Sequence, residues 1–254
     1  MKTQRKSEPP KISVLIPCYN CEDTVDRAIC SVMNNSYMPY EILAYDDCSS
    51  DGTLQVLRRL EEDIGCLKVF SGTENEGAGY SRTFLINRAR GGYIAFLDAD
   101  DWWYEKKLQK QVDVITELGA DIVTSYYDVV RNQENIGIRK PLRVINYFTL
   151  HLANWLPTSM TVFRSSLDSA GQMPTIRRRQ DYGFWLTIFR QNRGLKCVVV
   201  PEALGAYSKT AGSLSSGRLT NLKYNYLMFR DVMSYGRIFS VALVMFNSIT
   251  RLIR

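Results

Sequence analysis

The sequence predicts an α/β protein in which helices flank a largely parallel central sheet. Over the first hundred residues, short apolar runs rich in β-branched side chains alternate with segments of helical spacing. Most of these runs end on a polar cluster, and no internal repeat interrupts the alternation. Strands separated by single helices pair in parallel through right-handed crossovers, so we expect one open sheet.

The first two strand–helix units are the clearest. A β-branched run at 12–16 predicts the first strand, and apolar residues spaced three and four apart over 23–33 predict a helix. The second strand is expected at 41–45, followed by the polar run 46–53 and a helix around 54–60.

The third unit has a strand near 67–70, a glycine-containing loop at 72–79 and a helix over 80–90. The fourth strand, 93–97, ends on three carboxylates, Asp98, Asp100 and Asp101.

The pattern is looser beyond this point. It predicts a helix at 108–118, a strand at 121–127 and a loop or small hairpin at 131–144. A further helix, rich in aromatic residues, follows three consecutive arginines at 177–179.

Three strand ends carry polar clusters, at 17–20, 46–47 and 98–101. Ligands of open α/β sheets bind beyond the carboxyl ends of the strands. We therefore expect the three clusters to line one cleft.

The acidic run 98–101 has two interpretations. Neighbouring ionised carboxylates repel each other, and a divalent cation with oxygen ligands offsets that repulsion. The alternative is an acidic turn that caps a helix beginning near Trp102, where carboxylates are also favourable.

Composition limits the class of protein. A chain of 254 residues with 45% hydrophobic residues is typical of one globular domain with appendages. The net charge of +6 suits an anionic partner, whether nucleotide, nucleic acid or membrane surface. No apolar signal segment follows the basic start, so a cytoplasmic location is expected.

The six cysteines lack a regular spacing and are expected to be reduced thiols. A redox pair formed by Cys18 and Cys21 is the less favoured alternative. The single histidine, His151, argues against a four-ligand zinc site, and no GxxxxGK[ST] phosphate loop is present.

The ordered motifs resemble those of the family 2 glycosyltransferases, whose nucleotide-sugar-binding fold is called GT-A. The resemblance covers roughly residues 11–210 and includes an opening strand with a Pro-x-Tyr-Asn turn and an acidic second-strand motif. Cys48 stands where glycine is common. The remaining matches are Asn75-x-Gly77 with Ser81-Arg82, the Asp-x-Asp signature at Asp98 and Asp100, and Gln180-Asp-Tyr-x-x-Trp185.

The resemblance implies a nucleotide-sugar site. Its expected residues are Pro17, Tyr19, Asn20, Asp47, Arg82 and Asp98, with Tyr19 stacking on the base and Asp47 accepting a hydrogen bond that favours uracil. Asp100, with Asp98, is expected to bind Mg²⁺ or Mn²⁺ at the diphosphate.

The resemblance also implies that Asp181 is the general base of an inverting reaction. Its simpler interpretation is a helix N-cap or an ion-pair partner of the adjacent arginines. Arg178, Arg179 and Trp185 are expected to contact an acceptor or a diphosphate. For the arginines the reason is that a guanidinium group binds phosphate with two hydrogen bonds.

The expected organisation is a short N-terminus, a catalytic domain and a helical tail. Their bounds are 1–10, 11–210 (nucleotide-binding half 11–101, acceptor-binding half 102–210) and 211–254. The apolar stretch 238–250 is too short to span a bilayer and suits an amphipathic helix on the membrane surface. Packing on the domain or in an oligomer is the alternative.

We therefore expect a metal-dependent hexosyltransferase on the inner face of the cytoplasmic membrane, with peripheral membrane contact through its tail. Its donor would be a nucleotide sugar, most simply UDP-linked, and its acceptor a saccharide on polyprenyl diphosphate, as in bacterial surface polysaccharide synthesis. Nucleic acid is not an expected partner. The rival hypotheses are a nucleotidyltransferase and a non-catalytic nucleotide-sugar-binding protein.

Overall fold

The structure, a computed structural model, describes residues 8–209 and 218–252. Nine strands in this part of the chain form one mixed sheet. They are β1 (Ile12–Cys18), β2 (Glu41–Asp46), β3 (Leu67–Ser71), β4 (Tyr93–Phe96), β5 (Trp102–Trp103), β6 (Ile122–Arg131), β7 (Glu134–Arg139), β8 (Val162–Arg164) and β9 (Cys197–Ser208).

Helices cover both faces of the sheet. They are α1 (Val25–Met33), α2 (Thr53–Asp63), α3 (Ala78–Ile86), α4 (Lys107–Leu118), α5 (Tyr147–Leu152), α6 (Gln180–Gln191), α7 (Arg218–Leu227) and α8 (Arg237–Leu252). A 3₁₀ turn occupies Thr158–Met160, and a π-helical segment, Met228–Val232, follows α7 directly.

The strand order is β3-β2-β1-β4-β8-β6-β9-β5, with β7 paired to β6. Strands β1 to β4 are parallel, as the alternation of strands and helices predicts. The second half of the sheet is mixed, because the short strand β8 runs antiparallel between β4 and β6. The largely parallel sheet is thus confirmed for the first half only.

Side chains alternate across β1 and contribute to two apolar cores. Val14 and Ile16 pack with α1, α2 and α4 on one face, whereas Leu15 packs with α3 and α6 on the other. Strands buried on both faces read as continuous apolar runs, which is why the sequence pattern locates β1, β2 and β4 closely.

The helix expected to begin near Trp102 is a misassignment. Trp102 and Trp103 form β5, which pairs with β9, and α4 begins only at Lys107. The acidic run 98–101 therefore caps no helix. By contrast, the predicted hairpin is confirmed, because β6 and β7 pair antiparallel around a two-residue turn.

The C-terminal helices pack against the second core. Met228 and Phe229 of the π-helical segment are fully buried there, and Leu243 of α8 is nearly so. Within the described ranges, no helix combines the length and apolar character needed to cross a membrane. All six cysteines are free thiols, as expected.

Candidate active site

The loops after β1 and β2 are joined at the carboxyl edge of the sheet. Cys18 pairs with Asp46 in register, and the Asp47 amide donates to the Cys18 carbonyl at 2.9 Å. The side chain of Asn20, at a left-handed φ of 47°, accepts from the Ser50 amide at 2.9 Å. Asn20 therefore fixes the turn that carries Tyr19, whose ring is 52% exposed and open to a stacking partner.

Asp47 connects this edge to the loop before α3. Its two carboxylate oxygens accept from the amides of Glu76 at 3.0 Å and Gly77 at 2.7 Å. Each oxygen has a further lone pair for a ligand N–H group. Asp47 thus holds the glycine loop in place, a function that the sequence motif did not indicate.

Arg82 of α3 lies at the centre of the site. Its guanidinium is buried and donates to the Asp98 carboxylate. Burial alone would lower the pKa of Arg82, but the negative charges of Asp98, Asp181 and Asp100 raise it. Arg82 is thus paired with Asp98 and is close enough to Asp181 and Asp100 to be influenced by their charges.

Asp101, the last residue of the acidic run, anchors the loop. It is fully buried, accepts from the Ser159 hydroxyl, and accepts from the Ser208 amide at 2.8 Å. The Ser159 hydroxyl also accepts from the Asp98 amide at 3.1 Å. Arg27 donates to the Asp100 carbonyl at 2.8 Å.

Asp100 is the carboxylate best suited to a divalent cation. Burial and the neighbouring charge of Asp98 raise the pKa of Asp100 to about 6, because the opposing charges of Arg27 and Arg82 offset these effects only in part. No group of three or more candidate side chains could hold a metal by itself in the described ranges. Mg²⁺ is usually held by one or two carboxylates together with substrate phosphates, and Asp100 and Asp98 would supply the carboxylates.

Asp181 is neither the N-cap of α6 nor an ion-pair partner in the described structure. The N-cap is Arg179, with a left-handed φ of 65°, and α6 has no side-chain capping bond. The ion pairs found among the described residues do not include Asp181. Instead, Asn154 donates to Asp181 Oδ2 at 2.7 Å.

The three remaining expected residues have different environments. Arg179 has two buried nitrogens, Nε and Nη2, without a hydrogen-bond partner in the described part of the chain. The guanidinium of Arg178 lies 5.9 Å from the centre of the Tyr224 ring. Trp185 is fully buried against Phe163, and its indole nitrogen has no hydrogen-bond partner in the described part of the chain, so its expected acceptor contact stays a prediction.

Sequence reasoning assigned no role to Arg27, Asn154 or Ser159. Arg27 reaches the acidic loop from α1, and the other two reach the site from the stretch 154–161, in which only polarity was visible. Their partners are between 27 and 73 residues away in the chain. No local spacing could have identified such contacts.

Two named glycosyltransferases align with most of this chain. A Bacillus subtilis protein named for teichuronic acid biosynthesis, TuaG, is 30% identical over 226 residues, which cover 88% of each chain. WfgD of Escherichia coli, named as a UDP-Glc:alpha-D-GlcNAc-diphosphoundecaprenol beta-1,3-glucosyltransferase, is 27% identical and is aligned over 87% of this chain and 85% of its own.

Solved structures show the same fold. TarS of Staphylococcus aureus in complex with UDP-GlcNAc superposes with a TM-score of 0.72 at 20% identity, over 92% of this chain and 70% of TarS. The mannosyltransferase PcManGT of Pyrobaculum calidifontis, in complex with GDP-Man and Mn²⁺, gives 0.67 at 16% identity, over 93% of this chain and 73% of its own.

The resemblance in the motifs is confirmed by a family model. The model for glycosyl transferase family 2 matches residues 13–168, which is more than half of the chain. The alternating strands, the polar strand ends and the likeness to solved glycosyltransferases agree with the GT-A fold. The chain therefore belongs to glycosyl transferase family 2.

Proposed function

We propose that this glycosyltransferase is an inverting, metal-dependent hexosyltransferase that moves a sugar from a UDP-sugar to a lipid-linked saccharide. The observation that carries the proposal is the ion pair between Arg82 and Asp98, because the charges of Asp181 and Asp100 also act on this buried guanidinium. It brings a site for the donor diphosphate beside a carboxylate that can act as a base. Bacterial surface polysaccharide synthesis is the expected pathway, since relatives carry such names.

The donor base binds between the turn after β1 and the turn after β2. Pro17 and Tyr19 supply an apolar edge and an exposed ring, and Asn20 holds the turn. Asp47 accepts the ring N–H of uracil through its free lone pairs. The solved UDP and UDP-GlcNAc complexes of TarS support this choice of nucleotide.

Asp100 would be the principal ligand of Mg²⁺ or Mn²⁺, and Asp98, which Arg82 holds, would contact the ribose or the metal. When bound, the cation offsets the charge that develops on the departing nucleoside diphosphate. The unpartnered nitrogens of Arg179 support its assignment to a diphosphate, either of the donor or of a polyprenyl-linked acceptor. Arg178 is assigned to the same diphosphate.

Asp181 takes the proton of the acceptor hydroxyl as that oxygen attacks the anomeric carbon, and the carbon is inverted. In the described structure neither a helix cap nor an arginine occupies its carboxylate, so the group is available as a base. A nucleotidyltransferase would have little use for this carboxylate beside an acceptor pocket. Membership of the glycosyltransferase family disfavours that alternative further.

The substitution Asp181→Asn separates a transferase from a non-catalytic binder. We expect it to keep UDP-sugar binding, measured by calorimetry, and to lower the rate of donor hydrolysis by about 10²-fold or more. A screen of nucleotide sugars with and without Mn²⁺ should first identify the donor. A full rate in the variant would overturn the assignment of the base.

We also propose that the outer face of α8 rests on the membrane surface, which places the enzyme peripherally on the cytoplasmic side. Ile238, Met245 and Ile249 are 89, 62 and 53% exposed, and they lie on one face of the helix. The opposite face, which packs on the domain, buries Ser240 and Asn247. The helix thus exposes apolar side chains and buries polar ones. This arrangement, together with the exposed Arg237 at the start of α8, favours an anionic bilayer as the partner.

Point substitutions test this contact better than removal of the tail, because α8 also completes the second core. The variant Ile238→Asp/Met245→Asp should lose binding to vesicles that contain phosphatidylglycerol while its melting temperature is unchanged. Ile136→Asp/Val144→Asp, at two exposed apolar residues outside the helix, controls for the added charge. Unchanged vesicle binding, or a change in oligomeric state instead, would contradict the membrane contact.

A further inference from the structure

The hydrogen bond between Asn154 and Asp181 has a defined direction. The Asn154 Nδ2 atom lies 2.7 Å from Asp181 Oδ2, while Asn154 Oδ1 accepts from the Leu156 amide at 3.2 Å. If the side-chain amide were flipped, its oxygen would face a carboxylate and its NH₂ group would face a backbone N–H. Both contacts would be repulsive, so the amide donates to the carboxylate.

The segment that carries Asn154 is held firmly. Trp155 is buried and its indole nitrogen donates to the Thr149 carbonyl at 3.0 Å, and Leu156 is fully buried. Tyr182, next to Asp181, donates to the Leu150 carbonyl at 2.5 Å. The segment after α5 and the start of α6 are therefore each fixed to α5, one on either side of the bond.

The bond occupies one oxygen of the carboxylate and leaves the other one open. Among the described residues, Asp181 Oδ1 has no hydrogen-bond partner. A general base must present a lone pair within hydrogen-bond reach of the hydroxyl that it deprotonates. With Oδ2 fixed, rotation of the carboxylate is restricted, and Oδ1 keeps one direction.

We infer that Asn154 is a positioning residue for Asp181, which orients the base toward the acceptor hydroxyl through this bond. The inference rests on the proposed role of Asp181 as the general base. An amide suits this task because it donates a hydrogen bond without bringing a positive charge that would weaken the base. An arginine adjacent to α6 could also orient the carboxylate, but its positive charge would weaken the base.

The test is a double-substitution cycle on donor hydrolysis, with the UDP-sugar that the wild type hydrolyses fastest. Asn154→Ala should lower kcat about tenfold and leave the donor KM within about twofold, because it acts only on the base. In the Asp181→Asn background, the same substitution should have no further effect. A residue that merely stabilises the fold would lower both backgrounds equally.

Asn154→Asp keeps the shape of the side chain and removes the donor, so it should lose at least as much rate. Asn146→Ala is the matched control: it removes the cap of α5, whose side chain accepts from the Thr149 amide at 2.9 Å. That variant should melt at a lower temperature with kcat within about twofold. A crystal structure of Asn154→Ala should show the Asp181 carboxylate in more than one rotamer.

The outcomes separate the two proposals. If Asp181→Asn loses rate but both Asn154 variants stay within twofold of the wild type, only the positioning role is overturned. Multiplicative losses in the cycle would overturn the positioning role too, as would a single unchanged Asp181 rotamer in Asn154→Ala. If Asp181→Asn keeps its rate, the base assignment itself fails.

Discussion

The first half of the described chain, 8–101, and the second half, 102–209 with 218–252, are stabilised in different ways. In the first half, the parallel strands are mostly apolar, and Asp47 follows the carboxyl end of β2, while Arg82 of α3 pairs with Asp98 after β4. In the second half, polar side chains are buried inside the packed elements, as Lys107, Gln111 and Asn247 are.

The difference shows what each half contributes. Polar groups at a strand edge can face a ligand, and in the proposed function the first half offers its charges to the donor. Polar groups within the second half are hydrogen-bonded to other elements, as Gln111 is to the Met160 carbonyl at 2.8 Å. These bonds fix the relative position of helices, and the orientation of Asp181 depends on that position.

The largest expected effect is in the first half, at Arg82. Arg82→Ala leaves Asp98 without its buried partner and removes the charge that Asp100 and Asp181 also face. We expect a loss of about 3 kcal/mol in the free energy of unfolding, measured by urea denaturation. Arg82→Lys, which keeps the charge, should lose less; equal stability of all three proteins would show that solvent screens the pair.

A smaller effect should distinguish the inner and outer faces of α8. Asn247 donates to the His151 carbonyl at 2.6 Å, so Asn247→Ala leaves a buried carbonyl unpaired. We expect a loss of about 2 kcal/mol in urea denaturation. Phe246→Ala removes a larger side chain that is 57% exposed and should change stability by less than about 0.5 kcal/mol. The reverse ranking would mean that the outer face packs on the protein.

The third effect is on the pH dependence of stability. Lys107 is fully buried, donates to Gln111 at 2.8 Å, and has a pKa that burial lowers well below its usual range. The Lys107 amine therefore binds its proton more tightly in the unfolded chain than in the folded one. As pH rises toward about 10, the unfolded chain loses this proton, and the free energy of unfolding should increase.

Lys107→Met keeps the apolar stem of the side chain and removes the proton. In the wild type the free energy of unfolding should increase with pH by at most about 1.4 kcal/mol per pH unit because of Lys107. The variant should lack this increase. The measurement is urea denaturation of both proteins between pH 7 and 9.5. Parallel curves would show that burial of Lys107 leaves its proton affinity the same in the folded and unfolded chains.

The sequence predicts the first half of the fold well because its signals are local. A buried parallel strand is a continuous apolar run, and the acidic residues follow the strand within a few positions. The family motifs add Asp47, Arg82 and Asp181 by the same local spacing. The structure confirms the parallel arrangement of β1 to β4 and pairs Arg82 with Asp98.

The errors lie where partners are distant. The pair Trp102–Trp103 becomes a strand because β9, about one hundred residues later, lies beside it. The three-residue β8 is too short for any periodicity. Trp185 lies on α6, which is apolar on most of its surface and buried nearly all round, and its expected acceptor contact stays a prediction.

The polar inner face of α8 determines how this helix can move. Asn247 and Thr250 donate to the carbonyls at the end of α5, at 2.6 and 2.7 Å, and these bonds form only in one docked orientation. A helix held by such bonds cannot detach to follow a partner without leaving those carbonyls unpaired. A partner that binds the outer face of α8 therefore orients the whole enzyme. It also sets the direction in which the mouth of the catalytic cleft points.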